Sequence, residues 1–168
     1  MTTTARTSIA AALYATLLLA VAAVPSADAE TLRYKSAKAS EVVIAPRWAF
    51  DGNALSAEQL NTLVAELKAA ELRFDLSRNL KSRVRIYLAM PALVKGLRGT
   101  SGLRVDWIAR GSFQSGSASP GTRALVFEGL VTSVELVEQF DFTLTIDARS
   151  LQGQLGFDPA FEIEVLAK

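Results

Sequence analysis

The sequence predicts an α+β fold that is mainly β: a single curved antiparallel sheet, closing towards a barrel, with one amphipathic helix packed on its apolar side. Three observations predict it. Apolar and polar residues alternate at period two through most of the second half of the chain, and one earlier stretch places apolar residues at helical spacing. The strands also follow one another through short connections, without the crossover helices that parallel pairing needs. A two-sheet β-sandwich with the helix at one end is the alternative that the same pattern allows.

The first segment stands outside that fold. Arg6, an apolar run from Ile9 to Val24, Pro25, and the small-residue triplet Ala27, Asp28, Ala29 before Glu30 have the layout of a secretory signal peptide. Residues 1–29 are accordingly expected to be cleaved, leaving residues 30–168 as one β-rich domain that works outside the cytoplasm, in a periplasm or secreted. A spanning helix needs about 20 predominantly apolar residues. Ser8 to Val24 is shorter, alanine-rich and closed by a proline, so no stable span is expected after cleavage.

In the remaining chain, Leu32 to Lys38 and Glu41 to Trp48 have extended character, and Phe50 to Asn53 reads as a turn. Ser56 and Gln59 form a capping-box pattern, and Leu60, Leu63, Val64 and Leu67 share one helical face, which predicts the helix over Ala57 to Ala70. From Leu72 the period becomes two. Leu72 to Leu76, Arg83 to Leu88 and Leu103 to Arg110 are expected strands, the last covered partly on both faces. Gly111 to Gly121 is expected to be a flexible loop. Thr122 to Val134 reads as a long strand bent or bulged at Gly129, and Phe140 to Ile146 and Phe161 to Val165 alternate cleanly.

Composition removes several chemistries. The chain has neither cysteine nor histidine. Thiol nucleophiles, redox pairs, thiolate metal sites and lipoprotein modification are closed, as are serine–histidine and cysteine–histidine catalysis. Charge is segregated: Arg73 to Arg110 holds nine basic residues against two acids, and Ala124 to Lys168 holds eight acids against two basic residues. Such segments suit neighbouring strands whose outward charges oppose one another. They would also suit an anionic head group or an acidic partner, whereas nucleic acid is not expected.

The remaining motifs are weak. Gly96, Gly99 and Gly102 match no phosphate-binding fingerprint and read as a mobile connection, although amides beside Lys95 and Arg98 could form an anion nest. Asp51, Asn53 and Glu58 resemble a calcium loop whose other ligands are missing. Asp141 with Asp147, and Glu162 with Glu164, are the carboxylate pairs open to acid–base work, but they hold the outward positions of regular strands. Ten aromatic residues, including Trp48, Phe74, Phe113, Phe140 and Phe161, supply bulk for a filled core. Phe113, within the serine–glycine loop, is expected to be exposed as an anchor for a partner or membrane surface.

These readings converge on a non-enzymatic envelope protein that binds another protein. A carrier or sensor of a lipid-like molecule held between sheet and helix is the alternative, and a small carboxylate-dependent hydrolase the third. No cofactor or metal is expected. Lys95, Arg98, Arg104 and Phe113 are the expected contacts to a ligand or partner.

Overall fold

The computed structural model describes residues 29–36, 42–49 and 59–166. The signal-peptide segment up to residue 28 and the turn and calcium-like residues Phe50 to Glu58 lie outside them.

Two antiparallel sheets replace the single curved sheet, so the sandwich alternative describes the architecture better, although its terminal helix does not form in residues 62–70. One sheet has the order β1 (Glu30–Thr31), β12 (Ala160–Val165), β6 (Arg83–Ala89), β9 (Arg123–Leu130). In the other, β5 (Thr62–Asp75) pairs with β10 (Glu135–Asp147), which pairs with β7 (Leu103–Ala109) and then β8 (Gly116–Ala118) follows. The free side of β5 takes β2 (Tyr34–Ser36) near one end and β4 (Arg47–Trp48) near the other. A separate two-stranded ladder joins β3 (Val42–Ile44) to β11 (Leu155–Phe157). The sheets do not close into a barrel. Instead, β1 pairs with one sheet and β2, two residues later, with the other, so one stretch of chain changes sheets at Leu32.

The predicted helix is overturned over most of its length. Among its described residues, Gln59–Asn61 forms a helical turn of the 3₁₀ type, and Thr62 onwards is strand. Of the four residues that suggested a helix face, Leu60 is 51% exposed, and in the strand Val64 lies on the opposite face from Leu63 and Leu67; a β-bulge follows them. Phe142 pairs with Leu67 and Phe140 with Ala70, so Lys68 and Ala69 together oppose Asp141. The inserted residue breaks a period-two pattern, Leu63, Ala65, Leu67, and restarts it as Ala70, Leu72, Phe74. Read without the bulge, Leu63, Leu67, Ala70 and Phe74 fall at i, i+4, i+7 and i+11, the spacing of a helix face. What decides between them is β10, whose apolar face needs a long partner strand on its free side.

The core lies between the sheets. Val84, Ile86 and Leu88 of β6 and Phe161 of β12 are fully buried, as are Phe74, Phe140 and Leu144 of the opposing sheet. The Phe161 ring meets Phe74 edge-on at 4.8 Å between centroids, joining the two layers. The strongly alternating strands appear where expected, with β10 starting five residues earlier than its clean repeat. Four details differ. The bulge in β9 falls at Val126, which has no partner between Ile86↔Phe127 and Tyr87↔Leu125, rather than at Gly129. Strand β7 is covered on one face only, since Ile108 is 59% exposed. Trp48 lies outside the core, on the β5 edge. Phe113 is buried at 5% exposure, not an exposed anchor, and packs against Phe74 at 5.2 Å and Phe127 at 5.8 Å.

Phe113 is inside because its loop is tied down. The Ser112 N–H donates to Glu138 Oε1 at 2.5 Å, Gln114 N–H donates to the Val126 carbonyl at 2.7 Å, and the Trp107 indole donates to the Gln114 carbonyl at 3.0 Å. Glu138 is itself a buried acid on the core face of β10. A Cβ on Gly111 would stand 2.4 Å from one of its oxygens, so a side chain there would displace the Glu138 carboxylate.

Candidate functional site

A groove of about 860 Å³ lies beside the point where the chain changes sheets. Leu32 and Tyr34, either side of that switch, form its floor, with Val134 along one wall and Arg33, Arg73, Asp75 and Glu135 around the rim. A volume of this order suits a small ligand or an extended peptide segment.

The backbone that shapes the groove is fixed from both sheets. Leu32 N–H donates to the Phe161 carbonyl at 2.7 Å, and Asp75 N–H donates to the Arg33 carbonyl at 3.3 Å. Leu76 N–H donates to the Val134 carbonyl at 2.8 Å, bringing the β9–β10 connection against the end of β5. Tyr34 anchors the switch: its ring packs on Phe74 and Phe161, and its hydroxyl donates to the Pro159 carbonyl at 2.9 Å and to Asp158 at 3.3 Å. Burial, then the neighbouring Asp158 charge, push its phenol up to about 12, so it stays a neutral donor. On the rim, Arg73 is held by Glu71 at 2.7 Å and Asp75 accepts the Ser77 N–H at 3.0 Å.

Exposed apolar side chains cluster at this end of the sandwich. Leu80, Leu130 and Val134 are 39%, 54% and 54% exposed. Leu80 follows β5, Leu130 is the last residue of β9 and Val134 precedes β10, and the segments after β5 and β9 are bonded to each other, Lys81 N–H to the Val131 carbonyl at 2.8 Å and Val131 N–H to the Ser82 carbonyl at 2.9 Å. Sequence reasoning missed this cluster because Leu80 lies far from Leu130 and Val134 in the chain. The loops following β5 and β9 meet only through the tertiary fold.

The residues singled out from sequence go elsewhere. Lys95 lines a cleft at the other end of β6, and Arg104 lines a shallow hollow near Thr145 and pairs with Asp106 at 2.7 Å. The Arg98 guanidinium is held by the Gln152 amide oxygen at 2.8 and 3.1 Å. The structure does not gather them with Phe113 into one site. The Gly96–Gly102 connection is laced to residues 147–156: Gln152 N–H donates to the Gly96 carbonyl, and Arg98 N–H to the Ser150 carbonyl, each at 2.7 Å. The Arg98 amide is therefore spent on structure rather than offered to an anion.

The segregated charge does pair across strands. Arg85 of β6 meets Glu128 of β9 at 2.8 Å; outside the basic segment, one nitrogen of Arg123 bridges Glu162 and Glu164 at 3.1 and 2.9 Å, and its guanidinium carbon lies 4.2 Å from the Tyr87 ring centre. Burial, then its bond to Glu164, raise the Tyr87 phenol. The Asp141 carboxyl is held below the usual range by the Ala69 N–H and then by Arg110, and that of Asp147 by Arg149. A general acid needs the opposite shift.

No protein-family model, curated protein or solved structure matches the chain.

Proposed function

We propose that the protein is a non-enzymatic module that works outside the cytoplasm and binds another polypeptide, in the assembly or upkeep of an envelope complex. The observation that carries this reading is the exposed trio Leu80, Leu130 and Val134 on bonded segments, with Val134 also lining the sheet-switch groove. An apolar patch with a charged rim is the usual anatomy of a protein interface. Apolar residues of a partner segment would lie on Leu32, Tyr34 and Val134, and its charges would meet Arg33, Arg73, Asp75 and Glu135.

The test is affinity capture from the host envelope with the wild-type protein and with Leu80→Asp and Val134→Asp, which place charges on the patch without touching the core. A reproducible partner retained by the wild type and lost from both variants, at unchanged melting temperature, is expected. Equal capture by all three, or no reproducible partner, overturns the reading.

A carrier of a lipid-like molecule is the second reading, favoured by the volume and partly apolar lining of the same groove. The space first assigned to such a ligand, between sheet and helix, lacks its helical wall over residues 62–70. Native mass spectrometry of protein extracted gently from its host separates the two readings. A bound mass of several hundred daltons, lost on denaturation, marks a carrier.

A further inference from the structure

At the end of the sandwich that carries the apolar trio, two connections cross between the sheets side by side. Residues 76–82 lead from β5 to β6, and residues 131–134 lead from β9 to β10. Leu76 N–H donates to the Val134 carbonyl, Lys81 N–H to the Val131 carbonyl and Val131 N–H to the Ser82 carbonyl, so the crossing is held along its length. This end therefore has two flanks. Leu130 and Arg83, directly opposite one another in β9 and β6, mark the flank of the four-stranded sheet. Val134 and Glu135, where β10 begins, mark the flank of the other sheet. Val165, also exposed, ends β12 beside the start of β6 and adds to the apolar surface on the first flank.

The charges left over on the two flanks have opposite signs. On the first, Lys81 and Arg83 are exposed and make no ion pair among the described residues. Glu128, which also feels Arg83, is bonded to Arg85 at 2.8 Å, and Arg78 is taken by Glu30 at 3.6 Å. On the second flank, Arg73 is held by Glu71, and Arg33 and Asp75, joined through their backbones, offset one another. That leaves Glu135, which is exposed and makes no ion pair among the described residues. It also lies directly opposite Asp75 in the register of β5 with β10, a placement in which like charges repel. An apolar centre with spare cations on one side and a spare acid on the other is complementary to itself when turned about a two-fold axis.

We propose that this end of the sandwich is the contact between two copies of the chain. Leu80, Leu130 and Val134 of one copy meet the same residues of the other, and Lys81 and Arg83 of each copy face Glu135 of its counterpart. The inference rests on the reading of this patch as a polypeptide-binding surface and names the polypeptide. Its two-fold symmetry makes every charge pair occur twice.

Analytical ultracentrifugation of the protein purified from its own host supplies the test. The wild type is expected to dimerise reversibly, and the dimer to weaken as salt is raised, because exposed charge pairs are screened. Lys81→Glu/Arg83→Glu and Glu135→Arg should each weaken the dimer by about tenfold or more, since each sets like charges against one another twice. Mixed in equal amounts, these two variants should form a heterodimer about as tight as the wild-type dimer, because every facing pair is then opposite in sign again. That recovery also shows that neither variant has failed to fold. Leu80→Asp, at unchanged melting temperature, should be a monomer. A wild type that stays monomeric overturns the inference; if envelope capture still separates it from Leu80→Asp, the polypeptide-binding reading stands without it. A dimer that survives in Leu80→Asp, or a mixture of the charge variants that recovers nothing, overturns the inference as well.

Discussion

Asp141 accepts the backbone N–H of Ala69 at 2.8 Å, across the bulge where two residues of β5 oppose one of β10. The same carboxylate binds the Arg110 guanidinium beyond the end of β7, so one side chain ties together three adjacent strands. Ala69 has φ +53°, a conformation that a residue with a Cβ adopts at a cost.

The pH dependence follows from that carboxylate. Because its folded pKa lies below its unfolded value of about 4, its contribution to stability is complete above that value and is lost as pH falls through the lower folded pKa. Urea unfolding from pH 7 to pH 2 should show a shallower acid loss in Asp141→Asn than in the wild type. Identical slopes below pH 4 would show that Asp141 does not carry that part of the titration.

Ala69→Gly should stabilise the fold. Relief of the left-handed backbone, about 1–2 kcal/mol, outweighs the greater entropy that glycine loses on folding, about 0.5–1 kcal/mol. The net expected gain is roughly 0.5–1 kcal/mol in chemical denaturation. A loss would mean that the Ala69 methyl is itself needed.

Phe113→Ala should cost about 3–5 kcal/mol, the usual range for a buried phenylalanine, since the ring packs against Phe74, Phe127 and Phe140. A surface anchor would tolerate the change within about 0.5 kcal/mol. Equilibrium unfolding distinguishes the two outcomes directly.

Gly96→Ala and Gly99→Ala separate close approach from turn conformation. Both glycines have positive φ, +88° and +84°, but only Gly96 faces a backbone atom that a Cβ would strike, while Gly99 has nothing within 4 Å. Gly99→Ala should lose about 1 kcal/mol. Gly96→Ala should lose clearly more and loosen residues 150–156 in hydrogen exchange. Equal losses would show that the packing against Gln154 carries no weight.

How far the sequence could be read depended on whether the information was local. Strands such as β12 and the centre of β10 were legible because alternation between a core face and a solvent face is written in consecutive residues. The β5 segment was illegible because Leu60, Leu63, Val64 and Leu67 happen to match helical spacing, and only the pairing with β10 makes the segment a strand in which Val64 lies on the opposite face from Leu63 and Leu67. Among the described residues, the segment after the capping-box pattern begins with a 3₁₀ turn at Gln59–Asn61. Phe113 was misplaced because its serine–glycine surroundings look mobile, while Glu138, Val126 and Gln114, which hold its loop, lie elsewhere in the chain or give no signal of their own. For the groove there was no signal to find, since Leu32, Asp75 and Val134 become neighbours only when one stretch of chain crosses from sheet to sheet.

The sequence by itself determined a chain without thiol or imidazole chemistry, a mainly antiparallel β architecture and most of the strands that build it, because composition and period two are properties of consecutive residues. Tertiary structure alone decided that β5 is a strand, that two sheets form rather than one, and where the exposed apolar residues gather. The pairing of β5 with β10 spans some seventy residues of chain, and its energy comes from burying a face that neither segment can bury alone.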